Sequence, residues 1–451
     1  MNTIIPDFLE SSTRNRIDIF FAENQVGSLL KQSNFYKQTG VPCIALLKEL
    51  ITLVFTGKNL YRSLSSGSLP FCKNTAYRFL NEGSYNWEKL LQLLSSKLVK
   101  YLTKMTSDDR TSVLIVDDSL YSRNRSKKVE LMASVYDHVE HRYMKGFRML
   151  TLGWSDGNTF IPLACNLVST VKEENIYNKA KELDRRTLAH RRRMGAKSKL
   201  PDAMLELLKK AKEIQASHVL FDSWFAHPKT ICAVWGLGRD VVCMLKNTSK
   251  IHYRHQGGLK PLAQIFKDSG LAPGKKQILG SQIIEIREGK EQPWIKAKIV
   301  FVSDRGTKEW LAVLSTDTNL SDTEIIRIYG KRWDIEVFFK VCKSHLSLAK
   351  EYQGRSYDLQ NASASLVFIR YMILAMEARF SIDERTIGEL FYIMCDELED
   401  IKLMDALALM LELLCQAFTT LNLSTKTIDR LKSAFLDSLP LNLRGCLPQS
   451  T

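Results

Sequence analysis

The sequence has few of the features of an exported or disulfide-bonded protein. Its 451 residues contain nine cysteines, with no CxxC pair and no Cys/His cluster, which argues against a disulfide framework or a structural zinc site. The opening MNTIIPDFLESSTRNRID lacks a basic segment followed by an apolar one, so we expect no secretory signal. No run of about 18 apolar residues occurs, so we expect no membrane span and no membrane partner.

Acidic residues are scarce relative to basic ones. The chain has 64 Lys and Arg against 49 Asp and Glu, a net charge of +15, which predicts a polyanionic partner and nucleic acid first. Residues 179–199 hold nine of the basic residues and two acidic ones. Such a block repels itself unless it faces an anion, so we expect DNA contact through Arg191, Arg192 and Arg193. A solvated helix is the alternative for this segment.

The apolar pattern divides the chain into five segments and predicts an α/β fold. From Ser112 the order is strand, hairpin partner, third strand, helix, strand, helix, strand, which is that of a ribonuclease-H-like catalytic core. For the first segment, a helix-turn-helix around KNTAYRFLNEG and an ordinary helical bundle are equally compatible with the pattern. The segments are a helical N-terminal DNA-binding region (1–107), the first part of the core (108–245), a β-rich insertion (246–315), the rest of the core with a Glu-bearing helix (316–364) and a helical C-terminal region for packing or dimerisation (365–451).

Three carboxylates follow or occupy separate elements of this core. Asp117 follows the buried run VLIV, Asp222 follows SHVLF, and Glu336 lies on a helix expected from Ser321 to about His345. A single Asp at a strand end is more often a turn former or helix cap. Three carboxylates in this order can hold two divalent metals about 4 Å apart, so the sequence predicts a metal site.

The helix expected to carry Glu336 has a further pattern. Tyr329, Arg332, Glu336 and Lys343 are separated by two, three and six residues, which puts all four on one face at 100° per residue. A carboxylate flanked by cations and an aromatic ring suits the joint binding of a divalent metal and a phosphate backbone.

This pattern, YGKRWDIEVFFKVCK, resembles the Tyr-Arg-Glu-Lys signature of DDE transposases of the insertion-sequence-four type. VDDS resembles the family's first motif and selects Asp117, with Asp118 as the alternative because two adjacent aspartates leave the register open. FDSWF resembles the second motif and selects Asp222. The resemblance covers about residues 110 to 350. It implies that Asp117, Asp222 and Glu336 are catalytic and bind Mg²⁺ in a two-metal site, with Mn²⁺ as a substitute metal.

The resemblance also implies a reaction and partners. It predicts a bacterial, cytoplasmic and nucleoid-associated transposase that cuts double-stranded DNA at terminal inverted repeats and joins the ends to target DNA. A hairpin intermediate and a homodimer in the synaptic complex are expected. Tyr329, Arg332 and Lys343 would bind terminal phosphates, and Trp310 would help hold a displaced base. The alternatives are a nuclease or resolvase on the same core, which cuts without joining, and an inactive DNA-binding remnant.

Overall fold

Six α-helices and one 3₁₀ helix, Leu53–Thr56, precede the first strand in the part of the chain that the structure describes. The computed structural model describes residues 16–56, 59–67, 69–106, 110–137, 140–274, 277–304, 309–380, 418 and 424–438. The first helices bury apolar residues at helical spacing, and the last of them buries Leu90, Leu94 and Leu98. They are α1 (Arg16–Glu23), α2 (Val26–Gln32), α3 (Cys43–Thr52), α4 (Leu60–Ser65), α5 (Lys73–Asn81) and α6 (Trp87–Met105).

A mixed sheet of eleven strands forms the centre of the described molecule. Its strands are β1 (Val113–Ser122), β2 (Ala133–Asp137), β3 (Arg142–Ser155), β4 (Phe160–Val168), β5 (His218–Phe221), β6 (Asp240–Leu245), β7 (His252–His255), β8 (Gly258–Pro261), β9 (Ile278–Ile286), β10 (Ile295–Ser303) and β11 (Trp310–Ser315). Their order across the sheet is β2-β3-β1-β5-β6-β11-β10-β9-β7-β8, and β4 pairs with β3.

Five of these strands have the arrangement expected of the core. β3 pairs antiparallel with both β1 and β4, whereas β1, β5 and β6 run parallel. The parallel connections need crossover helices. These are α7 (Leu188–Ala196) and α8 (Leu200–Lys210) before β5, and α9 (Pro228–Trp235) before β6. This mixed α/β sheet is consistent with the predicted ribonuclease-H-like fold.

The β-rich segment after β6 continues the core sheet. β11 pairs antiparallel with β6, with Ala312 opposite Leu245 and Ser315 opposite Val242. β10 and β9 then extend the same sheet, and β7, β8 and the helix α10 (Leu262–Asp268) complete this region. The segment predicted as an insertion is therefore hydrogen-bonded to the edge of the core.

The helix predicted from Ser321 to about His345 is broken in two, so the single-helix prediction is wrong. The parts are α11 (Asp322–Gly330) and α12 (Trp333–Ser344). Between them, Lys331 N donates to Ile328 O at 3.1 Å and Arg332 N donates to Tyr329 O at 3.0 Å, which is 3₁₀-type bonding. Gly330 is a poor helix former at this point, and the Lys331 ammonium is tied to the carbonyl of Thr111.

A long buried helix, α13 (Tyr357–Phe380), crosses the boundary predicted between residues 364 and 365. By length and composition it could span a membrane, but 94% of its apolar window is buried inside the molecule, as in a core helix. The buried Arg370 on α13 pairs with Glu351 and donates to the Ile51 carbonyl at 3.0 Å. The leucine-rich run 405–414, predicted to pack or dimerise, lies outside the described residues, and a further helix, α14, covers Thr425–Ser438.

One close contact joins the sheet to the Glu-bearing helix. Gly153 on β3 lies beside the Phe160 ring, and an added Cβ would come within 2.1 Å of that ring. Phe160 in turn packs on Phe338 of α12, with ring centroids 5.1 Å apart. Only a residue without a side chain leaves room for this stack.

We predict that Gly153→Ala destabilises the protein by about 1–3 kcal/mol, because the Phe160 ring must move in a packed core. Gly289→Ala is the matched control: an added Cβ there has no neighbour within 4 Å. The control should stay within about 0.5 kcal/mol of the wild type. Chemical denaturation measures both changes, and equal stability of the two variants would contradict the packing argument.

Candidate active site

Asp117 and Asp222 lie together where two parallel strands separate. β1 pairs with β5 as far as Ile115 opposite Leu220, and the same register places Asp117 beside Asp222. Asp117 is inside β1, which continues to Ser122, so the expectation that it ends the strand is wrong. Burial, followed by repulsion from Asp222, raises the pKa of Asp117 to about 7. The two carboxylates are therefore a close, mutually repelling pair.

The loop after β5 fixes the second carboxylate. The Asp222 side chain accepts a hydrogen bond from the Trp224 backbone N–H at 3.0 Å. Burial raises the pKa of Asp222, and the charge of Asp118 acts in the same direction. The turn therefore fixes the orientation of the Asp222 carboxylate, although the negative charge of Asp118 repels it.

Arg332 connects the first and third carboxylates. Its guanidinium lies 3.4 Å from Asp117 Oδ2 and forms an ion pair with Glu336 one turn along the helix. Arg332 also lies over the Tyr329 ring, with 5.9 Å between the guanidinium carbon and the ring centroid. The Tyr329 hydroxyl has no hydrogen-bond partner within the described residues. The break after α11 therefore brings Arg332 between two of the predicted catalytic side chains.

Asp118 has a separate partner. Arg148 on β3 donates to both of its carboxylate oxygens at 2.7 Å, a bidentate pair that leaves little of Asp118 exposed. Successive strand residues face opposite ways, and here Asp117 contacts Arg332 while Asp118 contacts Arg148. This geometry favours Asp117 as the first catalytic carboxylate.

Arg148 and Trp224 are site residues that the sequence analysis missed. The Arg148 guanidinium lies 4.6 Å from the centroid of the Trp224 indole, and Trp224 is 44% exposed. Two features of the sequence indicate these residues. Arg148 is the one charged residue in the apolar run 146–154, and Trp224 stands two positions after Asp222. Together they place a stacked, partly exposed aromatic surface beside the carboxylates.

Lys343 and Trp310 are placed differently relative to the carboxylates. Lys343 lies exposed in the last turn of α12, and its charge interacts with that of Asp117. Trp310 begins β11, on the same edge of the sheet as the carboxylates, but its indole stacks on Phe266 with ring centroids 4.5 Å apart. One face of the Trp310 ring is therefore already covered, which weakens the prediction that it holds a base.

Two arginines of the basic segment are committed to internal ion pairs, which corrects part of the prediction. Arg193 is buried and donates to Glu130 at 2.6 Å and to Asp358 at 2.8 Å. Arg192 also pairs with Asp358. Because these guanidinium groups neutralise buried carboxylates, we withdraw both as phosphate ligands. Arg191 is exposed, and its contact with DNA stays a prediction.

The donor chemistry of the carboxylate pair fits a hard divalent cation. Carboxylate oxygens are the ligands that Mg²⁺ and Mn²⁺ prefer, and a cation would relieve the repulsion between Asp117 and Asp222. Within the described part of the chain, no three His, Cys, Asp or Glu side chains are grouped closely enough to hold one ion. Glu336 pairs with Arg332 instead, so it would have to exchange this partner to join Asp117 and Asp222.

Comparison with protein families gives an independent result. Residues 55–277 match the family described as DDE superfamily endonuclease, and residues 195–373 match the Transposase DDE domain. The matched stretch contains Asp117, Asp222 and Glu336. No curated protein matches the chain. Domains of this kind normally use divalent metal ions and cut DNA. Over residues 55–373 the chain is therefore similar to the DDE domains of endonucleases and transposases, which supports a DDE transposase or endonuclease domain in this protein.

Proposed function

We propose that this protein is an insertion-sequence transposase that cleaves DNA at Asp117, Asp222 and Glu336. The observation that carries the proposal is the half-buried Asp117–Asp222 pair linked through Arg332 to Glu336. A structural role would not require two repelling carboxylates on the central strands of a sheet. The spacing of Tyr329, Arg332, Glu336 and Lys343 supports the Tyr-Arg-Glu-Lys subgroup.

Each side chain has a task in phosphodiester cleavage. Asp117 and Asp222 would hold the divalent ion, with Glu336 completing the site once Arg332 releases it. When bound, the metal supplies Lewis-acid activation of a water or 3′-hydroxyl and stabilisation of the leaving oxygen. Arg332 would turn from the carboxylates to a phosphate, where a bidentate contact is favourable. The Tyr329 hydroxyl is buried without a hydrogen-bond partner among the described residues, and it would donate to the same phosphate once Arg332 moves from its ring.

The finer steps follow from the family resemblance. We propose cleavage at terminal inverted repeats in the presence of Mg²⁺, or of Mn²⁺ in its place, with transfer to target DNA through a hairpin. A homodimer in the bacterial cytoplasm, associated with the nucleoid, would perform it. The exposed Lys73, Asn74 and Arg78 of α5 support a DNA-binding role for the N-terminal helices. The second candidate is an endonuclease that cuts without joining, which the description of the first matched family favours.

We predict that Asp117→Asn or Asp222→Asn lowers strand cleavage by at least about 100-fold, since each removes a metal ligand. Glu336→Gln should do the same. The assay is a denaturing-gel time course with Mg²⁺ on an end-labelled duplex from the DNA flanking the gene.

The adjacent Asp118 provides the matched control. Asp118→Asn keeps the predicted ligands and should retain measurable cleavage. An inactive Asp118→Asn beside an active Asp117→Asn would move the first catalytic position to Asp118. Products joined to target DNA would distinguish the transposase from the nuclease.

We predict that Trp224, more than Trp310, holds a displaced base. Stacking of a base on an aromatic side chain contributes about 1–3 kcal/mol, so Trp224→Ala should slow hairpin formation about tenfold or more while first-strand nicking continues. Trp310→Ala should lower stability through its lost contact with Phe266 and still form hairpins. The same gel, together with thermal unfolding, measures both. Nicked ends that accumulate only in Trp310→Ala would reverse this assignment.

A further inference from the structure

A groove of about 1350 Å³ lies beside the catalytic edge of the sheet. Asp118, Arg148 and Lys343 line it where it meets the carboxylate site. Its remaining lining comes mainly from residues 123–129, which follow β1, from residues 348–355, which follow α12, and from the hairpin of β2 and β3. The groove is therefore continuous with the proposed cleavage site.

The two segments that line the groove are fixed to each other. The buried Arg123 donates from Nε to Gln360 at 2.7 Å and from a terminal nitrogen to the Ala349 carbonyl at 2.8 Å. The Glu130 backbone N–H, one residue after the first segment, donates to the Arg355 carbonyl at 2.9 Å. Ala349 is held at φ 61°, a left-handed conformation that an L-residue keeps only where the surrounding structure enforces it. These contacts build the groove into the fold.

The groove carries a large excess of positive charge. Its lining contains nine basic and three acidic residues. Among the acidic residues, Asp118 already pairs with Arg148 and Glu140 with Arg142, while the charge of Asp137 acts on Lys343. The basic lining residues that are exposed and have no ion-pair partner among the described residues are Arg125, Lys127, Lys128, Lys343, Lys350 and Arg355.

From this arrangement we infer that the groove binds the phosphate backbone of duplex DNA next to the scissile phosphodiester. Unpaired cations on two facing segments suit an extended, repeating anion better than a single small one. The inference rests on the proposed function, because the scissile phosphate must lie at Asp117 and Asp222 for the adjoining groove to receive the same DNA. The internally paired arginines of segment 179–199, Arg192 and Arg193, do not line this groove.

The test compares charge removal inside and outside the groove. Variants Arg125→Ala/Lys127→Ala/Lys128→Ala and Lys350→Ala/Arg355→Ala each empty one side of it. The matched control is Lys209→Ala/Lys212→Ala, which removes two exposed lysines near the end of α8. The chain runs from this end of α8 into the start of β5 at His218, whereas Asp222 follows the opposite end of β5.

Binding is measured by fluorescence anisotropy over a NaCl series, with a linear duplex and with one of its strands alone. Each lost phosphate contact reduces the slope of log K against log salt by about 0.9 for a duplex. We expect reductions of about 2.7 for the triple variant and about 1.8 for the double, with at least about tenfold weaker binding at ~0.1 M salt. The control should keep the wild-type slope, and thermal unfolding should match the wild type throughout.

Unchanged slopes in both groove variants, with a wild type that binds the duplex, would overturn the inference and leave the proposed function standing. A loss confined to the single strand would overturn the assignment of duplex DNA. A wild type that binds neither DNA would contradict the proposed function itself.

Discussion

Burial of Asp117 against Asp222 is the constraint on which the arrangement of the site depends. Two carboxylates in a low-dielectric environment repel each other, and the raised pKa of Asp117 records that cost. The parallel pairing of β1 and β5 holds them together up to the point where the strands separate. Arg332 lies in the turn between α11 and α12, and its positive charge offsets part of the repulsion between the two carboxylates. The break between α11 and α12 therefore places the Arg332 guanidinium beside the carboxylates.

A second set of charges, distant from the site in sequence, holds the surrounding elements. Arg193 joins Glu130, beside the groove, to Asp358 on α13, and Glu130 also accepts from the Tyr357 backbone N–H at 2.9 Å. Removing one member would leave an unpaired buried charge, which is strongly destabilising. Arg193 and its two carboxylate partners support the scaffold, while cations without ion-pair partners among the described residues, such as Lys127 and Lys350, line the groove. The net charge of +15 therefore combines two different uses of basic residues.

Local sequence patterns predicted the central strands and the carboxylates, because apolar runs such as VLIV and SHVLF end beside Asp117 and Asp222. They did not predict the internal role of Arg193, whose partners lie 63 and 165 residues away in the chain. They also missed the break in the Glu-bearing helix, where side-chain period continues but Gly330 and the Lys331 contact interrupt the backbone. The spacing of residues along the chain predicts neither ion pairs between distant residues nor a local break in a helix backbone.

The most direct test of the account is divalent-metal binding as a function of pH. Binding must displace the proton from Asp117, so Mn²⁺ affinity measured by calorimetry should rise about tenfold per pH unit below pH 7 and level off above it. In Asp117→Asn, affinity should be much weaker and lose this dependence. Affinity that is independent of pH between about 5 and 8, or unchanged in Asp117→Asn, would contradict the carboxylate pair as the metal site.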